Sequence, residues 1–181
     1  MKTNVKKSLI LVILFLSVYS TKAQIQATTS NRYRDNVVDN PNAESDIKIV
    51  SDYLRLLVSG DLDKAKSLLA PNYKGYGPSP TDSTTTEQTI NEWNQIGKTR
   101  TNQKVSFYNT TFRVKTGITQ GDWVSVWGDY NFTEKGKDIK LPFQFTTHLK
   151  GGKIDGSRIY YDRLYLLQIL GYKITAPDSN K

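Results

Sequence analysis

The chain has no cysteine among its 181 residues. Disulfides, thiolate nucleophiles, cysteine-based zinc sites and lipid attachment to a lipobox cysteine are therefore excluded. Histidine occurs once, as His148, so no histidine-rich metal spacing arises. A glycine-rich phosphate loop and a nucleophile elbow are also missing, and neither a metal nor a nucleotide cofactor is expected. Basic runs are lacking too: Lys48, Lys64, Lys98, Arg113, Lys137 and Lys153 are scattered among acids. Without a basic stripe to follow a phosphate backbone, nucleic acid is not an expected partner.

Long apolar runs are confined to the start. Met1 to Lys7 carries Lys2, Lys6 and Lys7 without an acid, Leu9 to Val18 is almost continuously apolar, and Thr21-Lys22-Ala23 offers a small-residue cleavage site. This order reads as a signal peptide over 1–23 and predicts an exported protein, periplasmic or extracellular, that matures near Gln24. The run is shorter than the roughly 20 apolar residues of a membrane span, so no stable membrane insertion is expected after cleavage. An uncleaved anchor is the alternative, because the two share the same early sequence physics. Loss of the leader removes Lys2, Lys6, Lys7 and Lys22, half of the formal net charge of +8. Residues 24–42 are polar and read as a flexible lead-in, and 176–181 as a polar tail.

A domain over 43–175 follows. Ile47, Val50, Leu54, Leu57 and Val58 recur at helical spacing after a candidate N-cap, Asn42. Gly60 supplies a helix stop, Asp61 a second cap, and Leu62, Ala65, Leu68 and Leu69 the inward face of a second helix that Pro71 ends. Gly75, Gly77, Pro78 and Pro80 predict a loop bearing Tyr73 and Tyr76. Thr84 and Glu87 stand at capping-box spacing before a third helix with Ile90, Trp93 and Ile96 on one face. Trp93 suits either the core or the border of a ligand pocket.

From Lys104 the period becomes that of β-structure, in segments 105–114, 123–133, 139–149 and 154–162. Val124, Val126, Tyr130 and Phe132 fall on one face of the second strand, with Trp123, Ser125, Trp127, Asp129 and Asn131 on the other. The expected class is α+β: three N-terminal helices packed on a curved antiparallel sheet, with a short C-terminal helix.

The C-terminal run Asp162-Arg163-Leu164-Tyr165-Leu166-Leu167-Gln168-Ile169-Leu170-Gly171 resembles the closing signature of the SnoaL-like polyketide cyclases, in the nuclear-transport-factor-2-like superfamily. The helix, Gly-Asp, helix opening followed by Pro71-Asn72-Tyr73 is similar to the start of that family. Tyr165 stands where a small residue is usual, and Ile169 where Gln is frequent. The resemblance implies a cone-shaped fold, a deep pocket for a small, partly apolar ligand, and cofactor-free proton chemistry of cyclase or isomerase type. In that reading Asp162 is the acid or base, and His148 is a possible pocket partner for it. A tyrosine such as Tyr53, Tyr73 or Tyr160 would donate to a developing oxyanion.

The residues themselves leave alternatives open. Asp162 before an apolar helical run is also an N-cap signal, and it could pair with Arg163 or Arg158. If Gly151-Gly152 forms a two-residue turn, Leu141 pairs with Asp162 and His148 with Asp155. Phe143, Phe145, Thr147, Arg158, Tyr160 and Asp162 then share a pocket face, and His148 points away. A turn with a bulge puts His148 and Asp162 on the same face instead. Expected ligand contacts are Tyr53, Tyr73, Trp93, Phe143, Phe145, Arg158 and Tyr160. A non-catalytic ligand-binding or interaction domain, with a homodimer formed through the outer sheet face, is the second reading.

Overall fold

Apolar side chains on one face of each long element leave the helices and sheet no stable option except to pack together. The computed structural model describes residues 32–173 and 175; the expected signal peptide, the first part of the lead-in and the polar tail lie outside the described residues. The chain divides into two units, 1–36 and 37–181. Of the first, Arg32 and the short helix α1 (Tyr33–Asn36) are described, with the Arg32 guanidinium donating to Asp35 at 3.3 Å.

The second unit runs β1 (Val37–Val38), α2 (Ala43–Ser59), α3 (Leu62–Ser67), β2 (Leu69–Tyr76), β3 (Ser83–Thr84), α4 (Thr86–Thr99), β4 (Thr101–Val114), β5 (Gly121–Glu134), β6 (Lys137–Lys150), β7 (Lys153–Tyr161) and α5 (Arg163–Ile169). The α+β class is as expected. The sheet holds seven strands in the order β1-β4-β5-β6-β7-β2-β3. It is mixed rather than wholly antiparallel, because β2 runs parallel to β7. Strand β2 occupies sequence expected to form a helix end and a loop. Pro71 and Gly75 disguise it, although Leu69, Ala70, Tyr73 and Gly75 are buried there. Part of the expected lead-in also belongs to the domain. Val37 and Val38 pair with Val114 and Arg113, and Asn40 is buried, donating to Asp46 at 2.7 Å and to Thr111 at 2.8 Å.

Helix ends follow the local chemistry with small shifts. Gly60 ends α2 in the left-handed region at φ 82°. Asn42 precedes α2 but its side chain donates to Asp122 instead of capping. The capping box of α4 is Thr85 with Gln88, one residue beyond the expected pair.

The core forms where α2 meets the sheet, from Val50, Tyr53, Leu54 and Leu57 against Val124, Val126, Phe145 and Ile154. A second cluster joins Tyr130, Phe132, Ile139 and Leu141 to Leu166 of α5. Arg100 stacks its guanidinium 4.1 Å from the Phe132 ring and donates to Glu134 at 2.9 Å, at the end of β5 beside that cluster.

The β6–β7 hairpin decides which side chains face inward. Lys150 pairs with Lys153 across Gly151-Gly152, both at positive φ, so the tight turn is as expected. The register then slips: Leu149 pairs with Ile154 but His148 with Gly156, leaving Asp155 as an extra residue. Beyond this bulge Phe143, Phe145 and Thr147 lie opposite Tyr161, Ile159 and Ser157. The expected face of Phe143, Phe145, Thr147, Arg158, Tyr160 and Asp162 is therefore not formed, because one inserted residue moves every following side chain of β7 to the other face.

Candidate functional site

Helix α2, the β2–β3 segment and helix α4 enclose a cavity of about 720 Å³ against β6 and β7. Each element contributes through its own period. Tyr53 and Leu54 each lie about one helical turn before Leu57 on α2, while Thr89, Trp93 and Ile96 follow one another at a turn's spacing on α4. Phe145, Ser157, Ile159 and Tyr161 are the inward residues of β6 and β7. A lobe of about 210 Å³ shares Leu54, Glu92, Trp93, Ile96, Ile159 and Tyr161 and adds Phe143, Tyr130 and Leu166.

The wall carries a cluster of hydroxyls. The Tyr73 phenol lies 2.7 Å from the Ser157 hydroxyl, and the Thr84 and Thr89 hydroxyls are 2.8 Å apart. Gly75 makes this cluster possible, since a Cβ there would sit 2.7 Å from the Thr84 hydroxyl and 2.8 Å from that of Tyr73. Burial raises the Tyr73 pKa, with hydrogen bonding by Ser157 opposing the rise. Tyr53 is raised well above its ordinary value, by burial first and then by Tyr73. Both phenols therefore keep their protons at neutral pH and remain hydrogen-bond donors.

Two carboxylates complete the site. Asp82 sits against Gly77, whose amide donates to the Asp82 carbonyl at 3.2 Å, and Arg163 approaches the Asp82 carboxylate at 3.6 Å. Glu92 is exposed at the opening and has no ion-pair partner among the described residues. Its pKa is raised, by desolvation first and by the Asp82 charge second.

Of the residues expected from sequence, Tyr53, Tyr73, Trp93 and Phe145 line the main cavity and Phe143 the lobe. Trp93 is also core, with its ring 5.9 Å from that of Tyr130. Arg158 and Tyr160 do not line the cavity: the bulge turns them to the outer face, where Arg158 packs 4.9 Å from the Tyr76 ring and donates to the Gly77 carbonyl at 3.1 Å. Asp162 is exposed and caps α5, its carboxylate accepting from the Tyr165 amide at 2.8 Å. It is not part of the cavity lining, so the expected pocket acid is a helix cap.

His148 belongs to a different group. Its Nδ1 lies 2.5 Å from Asp155, its Nε2 lies 3.1 Å from the Gln120 carbonyl, and its ring centroid is 4.9 Å from that of Trp123. It points away from the face of Phe143, Phe145 and Thr147, as expected with a tight turn, but the bulge brings Arg158 and Tyr160 onto the face that it occupies. Along the strands it still stands about 20 Å from Asp162, at ~3.3 Å per residue, too far for a dyad.

Glu92, Asp82, Ser157 and Tyr161 were missed from sequence. Glu92 follows Thr89 by three residues and precedes Ile96 by four, a spacing that puts it at the border of the inward helix face. Among the described residues no three His, Asp or Glu side chains converge as metal ligands, and no helix is long and apolar enough to cross a membrane.

No family model and no curated protein matches the sequence. Solved structures do match. PrhC from Penicillium brasilianum is 13% identical with a TM-score of 0.60, covering 70% of this chain and 86% of its own. A protein of ketosteroid isomerase-like fold from Catenulispora acidiphila, in complex with trimethylamine, is 18% identical with a TM-score of 0.57, covering 71% and 98%. A candidate SnoaL-like polyketide cyclase from Shewanella putrefaciens is 11% identical with a TM-score of 0.56, covering 69% and 95%. At such identities the likeness concerns the fold. The mixed sheet, the helices against it and these matches together identify the chain as having the nuclear-transport-factor-2-like fold of SnoaL-like and ketosteroid isomerase-like proteins.

Proposed function

We propose that this protein is exported and binds a small, partly apolar molecule in its cone-shaped cavity, where Glu92 performs cofactor-free proton transfer of cyclase or isomerase type. The observation that carries the reading is one carboxyl of raised pKa sharing a cavity of about 720 Å³ with neutral tyrosine donors. That volume is within the ~300–1,000 Å³ of small-molecule sites. Glu92 takes the acid-base role that the sequence resemblance implies for Asp162, because Glu92 lines the cavity and Asp162 does not. In its ionised form Glu92 would remove a proton next to a carbonyl and return it at another carbon, while Tyr73, backed by Ser157, donates to the oxygen that gains charge. Six rings, from Tyr53, Tyr73, Tyr76, Trp93, Phe145 and Tyr161, would hold the apolar body of the substrate.

The test is a ligand search followed by Glu92→Gln. Turnover at saturating ligand lowered at least a hundredfold is expected, the scale of a positioned general base. Turnover unchanged in Glu92→Gln, or a ligand seated elsewhere in a crystal, would overturn it.

A second reading has its own observation. Tyr108, Trp127, Gln144 and Tyr160 are consecutive partners across the outer face, and the three aromatic residues are 78%, 42% and 49% exposed. Such a row supports a homodimer formed through this face, with the domain serving in binding or interaction and not in catalysis. Sedimentation of the purified protein separates monomer from dimer.

A further inference from the structure

We infer that the cavity selects a cationic ligand, a protonated amine or quaternary ammonium on an apolar body, with its charge held between Glu92 and the aromatic wall. This rests on the reading of the cavity as a ligand site and adds the chemical class of the ligand. The charges lining the cavity are Asp82, Glu92 and Arg163. Arg163, itself exposed, lies 3.6 Å from Asp82, and the Glu92 carboxylate has no counter-ion within ion-pair distance among the described residues. Glu92 is exposed at the opening, and the partial desolvation there, followed by the like charge of Asp82, raises its pKa. A cation entering the cavity would relieve both costs. An anion would meet uncompensated negative charge.

The wall is suited to the same guest. Trp93 adjoins Glu92 on α4, and Tyr161 lines both the cavity and its lobe. The faces of such rings carry negative quadrupole charge, and their attraction for a cation grows when water is excluded. The neutral hydroxyls of Tyr73, Thr84 and Thr89 can accept a hydrogen bond from an ammonium without introducing a positive charge. A neutral guest of equal shape would gain the apolar contacts alone.

Three probes of matched shape test this with the purified protein: 2-phenylethylammonium, 2-phenylethanol and 3-phenylpropanoate, titrated at neutral pH and moderate salt and followed by protein NMR. The ammonium is expected to bind about tenfold more tightly than the alcohol, with the carboxylate weakest. Glu92→Gln should remove most of that preference while leaving affinity for the alcohol nearly unchanged. Glu87→Gln removes the same charge from the same helix away from this cavity, and should retain the preference. Equal binding of the three probes, or a preference that survives in Glu92→Gln, refutes cation selectivity and leaves the cavity as a binding site. Failure of all three to shift cavity resonances refutes both.

Discussion

Asp162 and Glu92 show how little residue type says about role. Asp162 carries the family resemblance, but its carboxylate is exposed and engaged by the Tyr165 amide. Asp162→Ala should therefore cost about 1 kcal/mol through loss of the cap, whereas Asp162→Asn, an equally good cap, should leave stability and ligand affinity nearly unchanged. Chemical denaturation with a binding assay checks both variants. A loss of ligand affinity in Asp162→Asn would return this residue to the site. For Glu92 the folded pKa is raised, so the folded state holds the proton more firmly than the unfolded chain. Below the ordinary glutamate value both states are protonated and no penalty exists. As pH rises from there through the folded value the native state loses stability relative to Glu92→Gln, and the loss then levels off. Denaturation midpoints of the two proteins across acidic to neutral pH measure that difference, and an opposite slope would mean that Glu92 is stabilised as the anion.

At the scale of elements, the single extra residue in β7 has the widest effect. Asp155 sits between the Leu149–Ile154 and His148–Gly156 pairs and sets the facing of everything from Gly156 to Tyr161. Deleting Asp155 would turn Arg158 and Tyr160 inward and Ser157, Ile159 and Tyr161 outward, burying a guanidinium and removing the Tyr73 partner. The deletion should abolish cooperative unfolding as seen by calorimetry. Asp155→Asn should fold, because it keeps the residue count and loses only the charge of the contact with His148. Strand β2 makes a related point: Gly75→Ala should destabilise by roughly 1–3 kcal/mol, since the added methyl meets two hydroxyls of the cavity wall below 3 Å.

For the whole molecule, the order of basic, apolar and small residues in Met1 to Ala23 supports export, and mass spectrometry of protein from the extracellular or periplasmic fraction should find an N-terminus near Gln24. Intact Met1 recovered with membranes would favour the anchor instead. The N-terminal edge of the folded unit is built as a polar latch. Arg113 donates to Asp122 at 2.5 and 2.7 Å, Asn42 joins the same carboxylate at 3.1 Å, and Asn40 bridges Asp46 to Thr111. Arg113 first, and Asn42 with it, hold the Asp122 pKa below its ordinary value. That stabilisation is present above the ordinary aspartate value and is lost as pH falls through the folded one. Arg113→Ala should therefore flatten the acid end of the stability profile. An unchanged acid limb in that variant would show that the latch contributes nothing.

By itself the sequence determined the α+β class, the faces of α2 and α4, the β5 alternation and the tight Gly151-Gly152 turn, because helix period, strand period and turn chemistry are local properties. It also singled out Tyr53, Tyr73, Trp93 and Phe145, large side chains whose burial walls the cavity. Tertiary structure alone decided the rest. A bulge such as that at Asp155 is recognised only when a partner strand is counted against it, and the parallel pairing of β2 with β7 joins segments some eighty residues apart. The cavity lining follows the same logic: Glu92 belongs to it and Asp162 does not, because the lining is assembled from α2, β2, α4, β6 and β7 together.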